Sequence, residues 1–311
     1  MPPFYIIVNP ISGHGAGAEA VPEIHNQLKK LNLSYDLVQT QQPGHAIELS
    51  REAALKGYEV VVAAGGDGTV NEVLNGLMLA RGEGAVSTAM GVIGIGRGND
   101  FAFGADVPAG LEEGIHALTQ NHRRRIDIGF VQGGYFTDGR YFGNGVGIGF
   151  DAVVGFEAMK MTKLRGFASY LVAALKTIFL YYHAPRVRID LNGGMMELDA
   201  LMVSIMNGRR MGGSFMMAPE SHNDDGVLDL CIVKQVSKAG TFALIPRFMQ
   251  GNQASHPAVL FTRASELTVT ALSGSLPAHA DGETVCEEGD KLFIRLLPAA
   301  LDVICSPEDA A

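Results

Sequence analysis

The fold is indicated most clearly by the stretch from Val60 to Leu74, which reads VVVAAGGDGTVNEVL. Its first residues are apolar and mostly β-branched, which is typical of a buried strand. The glycine-rich segment Gly65–Thr69 follows, and apolar residues then recur at helical spacing from Val70 onward. The stretch therefore predicts a strand, a tight loop and a helix, which together form the repeating unit of parallel α/β sheets.

The rest of the first third repeats this alternation. Short apolar runs predict buried strands, and amphipathic segments between them predict helices. Strands that alternate with helices form a parallel, three-layer α/β sheet with right-handed crossovers. The predicted strands are Phe4–Val8, Leu33–Val38, Glu59–Ala64 and Met90–Ile95, and the predicted helices are Gly17–Leu31, Gly44–Lys56 and Val70–Ala80.

The pattern changes after Arg125. Clusters of Gly, Asn and Asp separate the apolar runs there, which favours an antiparallel β domain with one helical excursion, Phe150–Tyr182. We therefore place a domain boundary after Arg125 and expect the tail Lys291–Cys305 to be a further strand. The other predicted strands of this half are Arg125–Val131, Arg186–Leu191, Leu198–Met206, Val227–Lys234 and Glu266–Leu272.

The composition is that of a globular protein. The 311 residues include 24 Lys and Arg against 33 Asp and Glu, a net charge of −9, which argues against nucleic acid as a partner. The three cysteines are far apart, which predicts a reducing, cytoplasmic location. The longest apolar stretch, Phe167–Tyr182, falls short of the roughly 20 residues of a spanning helix. We expect a soluble protein, with peripheral contact at the inner face of the membrane as a hypothesis.

The glycine-rich loop Gly65–Thr69 is the strongest candidate for a phosphate site. Glycines let backbone N–H groups face a ligand, and the N-terminus of the following helix favours an anion. Asp67 adds a carboxylate suited to Mg²⁺ or to a proton from an attacking hydroxyl. The alternative is a capping box formed by Thr69 and Glu72, with Asp67 as a turn residue. Capping alone does not explain three glycines around an acid, so we favour the phosphate site.

Two more strands are predicted to end in glycine-rich loops at the same sheet edge. In the first loop, Gly13, Gly15 and Ala18 fit the loose pattern G-x-G-x-x-G/A, but the second strand ends in glutamines and Thr40 instead of an acid. A plain tight turn is the alternative there. The third loop contains Arg97, which suits a phosphate. Its neighbours Asn99 and Asp100 equally suit the cap of the next helix.

The second half has two acidic segments, and each allows two interpretations. Ala218–Val227 is either a loop for a hard cation such as Mg²⁺ or an ordinary acidic turn. His279–Glu283 carries two carboxylates, which indicates either a general base or a hairpin turn. The methionines Met211, Met216 and Met217, with the Phe167–Tyr182 segment, either belong to the core or line a groove for a lipid.

Taken in order, these motifs resemble the diacylglycerol kinase catalytic-domain family, which includes sphingosine kinases and bacterial soluble lipid kinases. The resemblance extends over nearly the whole chain, and the ordered set is far more specific than the GGDGT element, which NAD kinases share. It rests on Asn9-Pro10-x-Ser12-Gly13, Gly65-Gly66-Asp67-Gly68-Thr69-x-Asn71-Glu72, Gly96-x-Gly98-Asn99-Asp100-Phe101-Ala102, Asn144 with Gly149-Phe150-Asp151-Ala152, Asn207-Gly208 with Gly212-Gly213, Ala218-Pro219 with Asp225-Gly226, and Asp281-Gly282-Glu283.

The resemblance implies an α/β nucleotide domain like that of NAD kinase and phosphofructokinase, at residues 1–125, to which residues 291–311 return. It implies a β-sandwich lipid-substrate domain at residues 126–290, with Mg·ATP and the lipid headgroup in a cleft between the domains. The ATP-binding residues implied by the family pattern are Asn9, Pro10, Ser12, Gly13, Thr40, Gly65, Gly66, Asp67, Gly68, Thr69, Asn71, Glu72, Arg97, Asn99 and Asp100.

The resemblance also implies the catalytic and metal-binding residues. Glu283, with Asp281 beside it, would remove the proton of the acceptor hydroxyl, and Asp67 would contact Mg·ATP. A structural Mg²⁺ would be held by Asp225 with the backbone carbonyls of His222 and Val227. The chain departs from the family pattern in two loops: Arg97 stands where the family usually has Thr, and His14 stands where it often has Lys or Arg.

The resulting hypothesis is an ATP-dependent lipid kinase that uses Mg²⁺. The acceptor is open, because diacylglycerol, phosphatidylglycerol and a sphingoid base all offer a hydroxyl next to apolar chains. Two alternatives remain, an NAD kinase and a non-catalytic nucleotide or lipid sensor of the same fold. Neither the acceptor nor the oligomeric state is readable from the sequence.

Overall fold

The computed structural model describes residues 3–85, 87–95, 98–108, 110–160, 167–180 and 184–307. Contacts between Cα atoms divide these residues into two compact units. The first comprises the described residues up to Ile128 and from Ala299 onward, and the second runs from Gly129 to Pro298. The predicted domain boundaries, after residues 125 and 290, refer to parts of the chain that fold independently, and they stay a prediction.

The first unit is a parallel α/β sheet. Its strands lie in the order β2-β1-β3-β4, and the last residues of β15 join in parallel beside β4, where Val303 pairs with Met90. The strands are β1 Phe4–Val8, β2 Tyr35–Gln39, β3 Val60–Gly65, β4 Ala89–Gly94 and β15 Lys291–Ile304, and the helices are α1 Ala16–Lys30, α2 His45–Leu55, α3 Asp67–Gly82, α4 Asp100–Gly104 and α5 Leu111–Gln120.

The predicted α/β class is confirmed, and the predicted strands and helices of this unit are all present, β1 with the predicted ends and the others with shifted ends. Every residue of β3 is buried, as its apolar sequence predicts. Helix α3 begins at Asp67, three residues earlier than predicted, because the helical turn starts inside the glycine-rich loop. The short α4 follows Asn99, where a helix cap was one of the two predicted alternatives, whereas the amphipathic α5 was not predicted.

The second unit is an antiparallel β-sandwich. Strand β9 is long enough to serve both sheets: Gly194–Asp199 pair with β8, and Met202–Met206 pair with β7 and β10. One sheet has the order β14-β13-β7-β9-β10-β11 and the other β9-β8-β12-β15, with β5 and β6 beyond it. The strands are β5 Arg123–Gly133, β6 Phe136–Phe142, β7 Gly145–Gly149, β8 Arg186–Leu191, β9 Gly194–Met206, β10 Leu228–Lys234, β11 Val259–Ala264, β12 Glu266–Ser273, β13 Leu276–Ala280 and β14 Glu283–Gly289.

The inner faces of these sheets form one hydrophobic core. Side chains from both sheets are fully buried in it, among them Ile205 and Leu230 from the first sheet and Val269 and Ile294 from the second. Sheet-on-sheet packing of this kind is the defining feature of a sandwich. The predicted antiparallel class of the second half is confirmed.

The helices of the second unit are α6 Phe150–Met159, α7 Phe167–Leu180 and α8 Lys238–Gln250. The first two fall within the predicted helical stretch, of which residues 161–166, 181 and 182 lie outside the described residues. The prediction of a single helical excursion was wrong, because α8 is a second one. Gly240 and Pro246 interrupt its helical pattern in the sequence, and Ser237 caps its start by accepting the N–H of Gly240 at 3.2 Å.

Within the described ranges, we find no helix with the length and apolar character needed to cross a membrane.

Candidate functional site

The loops that follow the parallel strands of the first unit meet at one edge of its sheet, where the carboxyl ends of the strands lie. Backbone hydrogen bonds hold them there. The N–H of Asn9 donates to the carbonyl of Ala64 at 3.1 Å, and the N–H of Ile95 donates to the carbonyl of Gly65 at 2.9 Å. The N–H of Thr40 donates to the last residue of β1 at 2.9 Å. The predicted gathering of these loops is therefore present.

The hydroxyl of Thr69 joins the first loop to the second. It accepts a hydrogen bond from Nδ2 of Asn9 at 3.1 Å and lies 3.3 Å from Oγ of Ser12. Gly65 completes the contact: a Cβ there would lie 2.4 Å from Oγ1 of Thr69 and 3.0 Å from Oγ of Ser12. A side chain at Gly65 would push these groups apart, so the glycine is needed for close approach.

The capping-box alternative was wrong. Helix α3 starts after Gly66, and no side chain caps it. The carboxylate of Glu72 instead accepts the N–H groups of Gly44 at 2.9 Å and Ala46 at 3.1 Å, at the start of α2. Glu72 therefore holds the start of a neighbouring helix in place, and its predicted contact with nucleotide stays a prediction.

The start of α3 is open at Gly66. A Cβ on Gly66 would meet nothing within 4 Å, whereas Gly65 beside it is tightly enclosed. The first N–H groups of the helix and the positive end of its dipole favour an anion at this point. Asp67, the first residue of α3, is half-buried. The arrangement combines a phosphate-binding backbone with a carboxylate.

Asp67 also contacts the third loop. Its Oδ1 accepts the N–H of Phe101 at 3.3 Å, and a Cβ on Gly98 would lie 2.7 Å from its Oδ2. The third loop is thus packed against the acid, and Gly98 allows the close approach. Arg97, which we predicted to reach a phosphate, lies outside the described residues.

The other predicted nucleotide residues of the first unit have varied surroundings. Asn71 is 1% exposed and its Oδ1 accepts Nδ2 of Asn75 at 3.1 Å, so it is part of the interior. Asn99 has a left-handed backbone, with φ of 49°, directly before α4. The carbonyl of Pro10 accepts the N–H of Ala18 at 3.0 Å and thereby fixes the start of α1. Gly13, with φ of 60°, turns the first loop.

In the second unit, the acidic pair forms a β-hairpin. Strands β13 and β14 are joined by Asp281 and Gly282, whose φ values of 48° and 87° are those of a tight two-residue turn. The hairpin interpretation is confirmed, and it places Glu283 as the first residue of β14. Glu283 is half-buried, and among the described residues its carboxylate has no hydrogen-bond or ionic partner.

Asp281 is a structural acid. Its carboxylate oxygens accept the N–H groups of Gly143, Asn144 and Gly145 at 2.7, 3.0 and 2.9 Å. Hydrogen bonds to a charged acceptor are stronger than neutral ones. Asp281 thus ties the hairpin to the loop between β6 and β7. Of the two acids Asp281 and Glu283, Glu283 is therefore the candidate proton acceptor.

The acidic turn presents oxygen donors next to an arginine. Oδ1 of Asp225 accepts the N–H of Val227 at 3.2 Å, while its Oδ2 lies 3.8 Å from a nitrogen of Arg263. Arg263 also donates to Asp229 at 2.7 Å, and His222 is exposed. The described residues contain no cluster of three or more His, Cys, Asp or Glu side chains suited to a metal. One carboxylate with backbone carbonyls still suits a hard cation, with Arg263 as a competing positive charge.

Met211 and Met217 are buried in a core cluster under α8, together with Leu244 and Phe248. The core interpretation is therefore confirmed for these two methionines.

The sequence analysis did not single out Asp151 of this unit as a candidate site residue. The only sequence signal for it was its position within the Gly149–Ala152 motif.

Comparison with known proteins agrees with both halves of the chain. A family model described as the diacylglycerol kinase catalytic domain matches residues 3–131, and one described as the YegS C-terminal NAD kinase beta sandwich-like domain matches residues 144–305. The chain therefore belongs to the diacylglycerol kinase catalytic-domain family, as its ordered motifs indicated. Its catalytic domain is that of a lipid kinase, which makes it an enzyme of the kinase class.

Individual relatives support this placement. A diacylglycerol kinase of Staphylococcus carnosus is 27% identical over 278 residues, which cover 89% of this chain and 87% of the relative. A solved diacylglycerol kinase of Bacillus anthracis has a TM-score of 0.74 at 22% identity, with 98% and 97% of the two chains covered. An ATP-bound NAD kinase of Archaeoglobus fulgidus has a TM-score of 0.52 at 14% identity, covering 98% and 94%. The two structures show a shared fold.

Proposed function

We propose that this protein transfers the γ-phosphate of ATP to a hydroxyl group of a lipid. The observation that carries the proposal is the open start of α3 at Gly66, with the carboxylate of Asp67 beside it, in a chain of this family. Phosphoryl transfer depends on positioning and charge neutralisation more than on covalent chemistry. A backbone cradle for phosphates next to a carboxylate suits both needs.

On the first unit, we assign the ATP phosphates to the first N–H groups of α3. Asn9, Ser12 and Thr69 keep the two glycine-rich loops together, and the backbone of Gly65, Gly66 and Gly68 lines the cradle. Thr40 follows β2 at the same sheet edge and belongs to the nucleotide contacts, as do Asn99 and Asp100 after β4. The NAD kinase structure that shares this fold was solved in complex with ATP, which supports the proposal that this protein binds a nucleotide.

Magnesium is proposed at two places. Asp67 is the residue that would hold the ion accompanying ATP, since a carboxylate beside phosphates is a preferred Mg²⁺ ligand. Asp225, with the backbone carbonyls of His222 and Val227, would hold a structural ion in the acidic turn. The first ion, when bound, would offset the negative charge of the phosphates, a need that is greater in a protein of net charge −9.

On the second unit, we assign the acceptor hydroxyl to the vicinity of Glu283. The hydroxyl oxygen forms a bond to the γ-phosphorus while the bond from that phosphorus to the ADP oxygen breaks. The carboxylate of Glu283 takes the hydroxyl proton. Relatives named diacylglycerol kinase make diacylglycerol the first acceptor to test. Such a lipid is presented at a membrane surface, so we propose peripheral contact with the inner face of the membrane.

The test is transfer of radiolabelled γ-phosphate from Mg·ATP to diacylglycerol, phosphatidylglycerol and sphingosine in mixed micelles, with NAD as a parallel acceptor. We expect one lipid class to be labelled. Asp67→Asn and Glu283→Gln should each lower turnover by roughly 100-fold or more, which is the range typical of acid–base and electrostatic groups. The exposed acids Asp138 and Glu287 provide matched controls, Asp138→Asn and Glu287→Gln.

Labelling of NAD alone would make the protein an NAD kinase. Tight ATP binding without transfer to any acceptor would favour a sensor. Either result would overturn the proposed lipid kinase activity.

A further inference from the structure

Three strands of the sandwich bring a polar row to one face of the first sheet. Ser204 on β9 pairs with Gly147 on β7, and Gly147 pairs with His279 on β13. Directly paired residues of neighbouring strands project to the same face. Since Gly147 has no side chain, the row contains a gap between the hydroxyl of Ser204 and the imidazole of His279.

The gap is filled by the carboxyl group of Asp151, in the first turn of α6. A Cβ on Gly147 would lie 2.4 Å from Oδ2 of Asp151 and 2.5 Å from Nε2 of His279, so both groups occupy the space above the glycine. Oδ2 of Asp151 accepts the hydroxyl of Ser204 at 3.0 Å, and its Oδ1 accepts the N–H of Ala152 at 2.9 Å. The carboxyl group is therefore fixed by two hydrogen bonds, and it shares the space above Gly147 with the imidazole.

The opposite nitrogen of the imidazole contacts the hairpin turn. Nδ1 of His279 accepts the N–H of Gly282 at 3.4 Å. Gly282 precedes Glu283, the proposed base, and follows Asp281, which is bound to the loop between β6 and β7. The turn that carries Glu283 is thus held from two sides, by the carboxylate of Asp281 and by the ring of His279.

The ring must be neutral for this contact, because a protonated Nδ1 accepts nothing. Burial lowers the pKa of His279 to about 4, so the ring is neutral near pH 7. Because Nδ1 is the acceptor, its single proton then resides on Nε2. Desolvation raises the pKa of the half-buried Asp151 carboxyl to about 7.

We propose that His279 is a positioning residue for Glu283: its imidazole accepts the N–H of Gly282 and so holds the turn that directly precedes Glu283. This inference rests on the proposed function, since it assigns a role to the same base. It extends the site by a residue that the sequence motifs did not mark as functional.

The kinetic test compares two substitutions of similar shape. In His279→Asn the amide oxygen takes the place of Nδ1, whereas His279→Leu offers no acceptor. We expect Leu to lower kcat for the lipid by about 10- to 100-fold, the effect of a misplaced catalytic group, with the KM for ATP unchanged. Asn should recover most of this loss. His256→Phe is the control, because Nδ1 of His256 also accepts a backbone N–H, from Ala258 at 3.2 Å.

Thermal melts separate positioning from folding. Equal kcat for the Asn and Leu variants, or losses of kcat that follow the loss of thermal stability in both, would overturn the proposal. An unchanged kcat with an increased KM for ATP would also overturn the proposal.

A second measurement does not depend on activity. In protein labelled with ¹⁵N-histidine, the ring signals of His279 are those that disappear in His279→Asn. We expect a neutral ring at pH 7 with the proton on Nε2. An imidazolium at pH 7, or a proton on Nδ1, would overturn the contact to Gly282. If the wild-type protein phosphorylates no lipid, the proposed function and the catalytic role of His279 fail together, while the ring signals still decide whether the contact exists.

Discussion

Replacing Asp281 with Asn tests how the candidate base is held. Asp281 has a left-handed backbone, with φ of 48°, which Asn tolerates as well as Asp does. Its Oδ1 accepts the N–H groups of Asn144 and Gly145, and its Oδ2 accepts that of Gly143. An amide can keep its oxygen on the first pair only by turning its NH₂ group toward Gly143. The substitution therefore keeps the shape and removes the charge and one acceptor.

The expected decrease in the free energy of unfolding follows from these contacts. A hydrogen bond to a charged group contributes about 1.5–3 kcal/mol, and the facing N–H of Gly143 is left against a second donor. We expect Asp281→Asn to lower the free energy of unfolding by about 2–3 kcal/mol. For a unit of this size, that corresponds to a fall in Tm of roughly 5–10 °C. Asp138→Asn, on the exposed face of β6, should change neither quantity measurably.

The assay is a thermal melt and a urea melt of the two variants and the wild type, followed by lipid kinase turnover at a temperature where all are folded. We expect Asp281→Asn to lose turnover as well, because the turn before Glu283 is released. If Asp281→Asn melts at the same temperature as the wild type, the three hydrogen bonds to the carboxylate are not what holds the hairpin.

Three further outcomes are expected from other parts of the chain. Gly76→Ala should destabilise the first unit by about 1–3 kcal/mol in melts, because its Cβ would lie 1.9 Å from Oγ of Ser50 on α2. Asp151→Asn should flatten the pH dependence of stability: the folded-state pKa near 7 exceeds the unfolded value of 3.8, so the wild type loses stability as pH rises between these values. Lys176→Met should lower Tm, because the buried carboxylate of Glu157 would then keep only one of its two lysine partners, and an unchanged Tm would contradict this.

Local patterns explain why much of the first unit was predictable. An apolar run followed by glycines and a helical period specifies a strand, a loop and a helix within fifteen residues, and Val60–Leu74 fold in that way. Helix α8 was missed because both Gly240 and Pro246 interrupt its helical pattern. A proline alone does not hide a helix, since α1 was predicted although Pro22 lies inside it.

The partners of the site residues were not predictable, because they come from distant parts of the chain. Glu72 has a plausible local partner in Thr69, yet it binds Gly44 and Ala46. Asp281 binds a loop more than a hundred residues earlier. The motif order identified the family, whereas the contacts of these acids depend on how distant segments of the chain pack together, which the sequence around each acid does not specify.

The most direct test of the account is transfer of γ-phosphate from Mg·ATP to a lipid panel by the wild type, Asp67→Asn and Glu283→Gln, with ATP binding measured on the same samples. We expect the wild type to label one lipid class and both variants to lose roughly 100-fold or more in turnover. We also expect Glu283→Gln to bind ATP. Wild-type turnover in either variant, or no lipid labelling by a wild-type protein that binds ATP, would contradict the account.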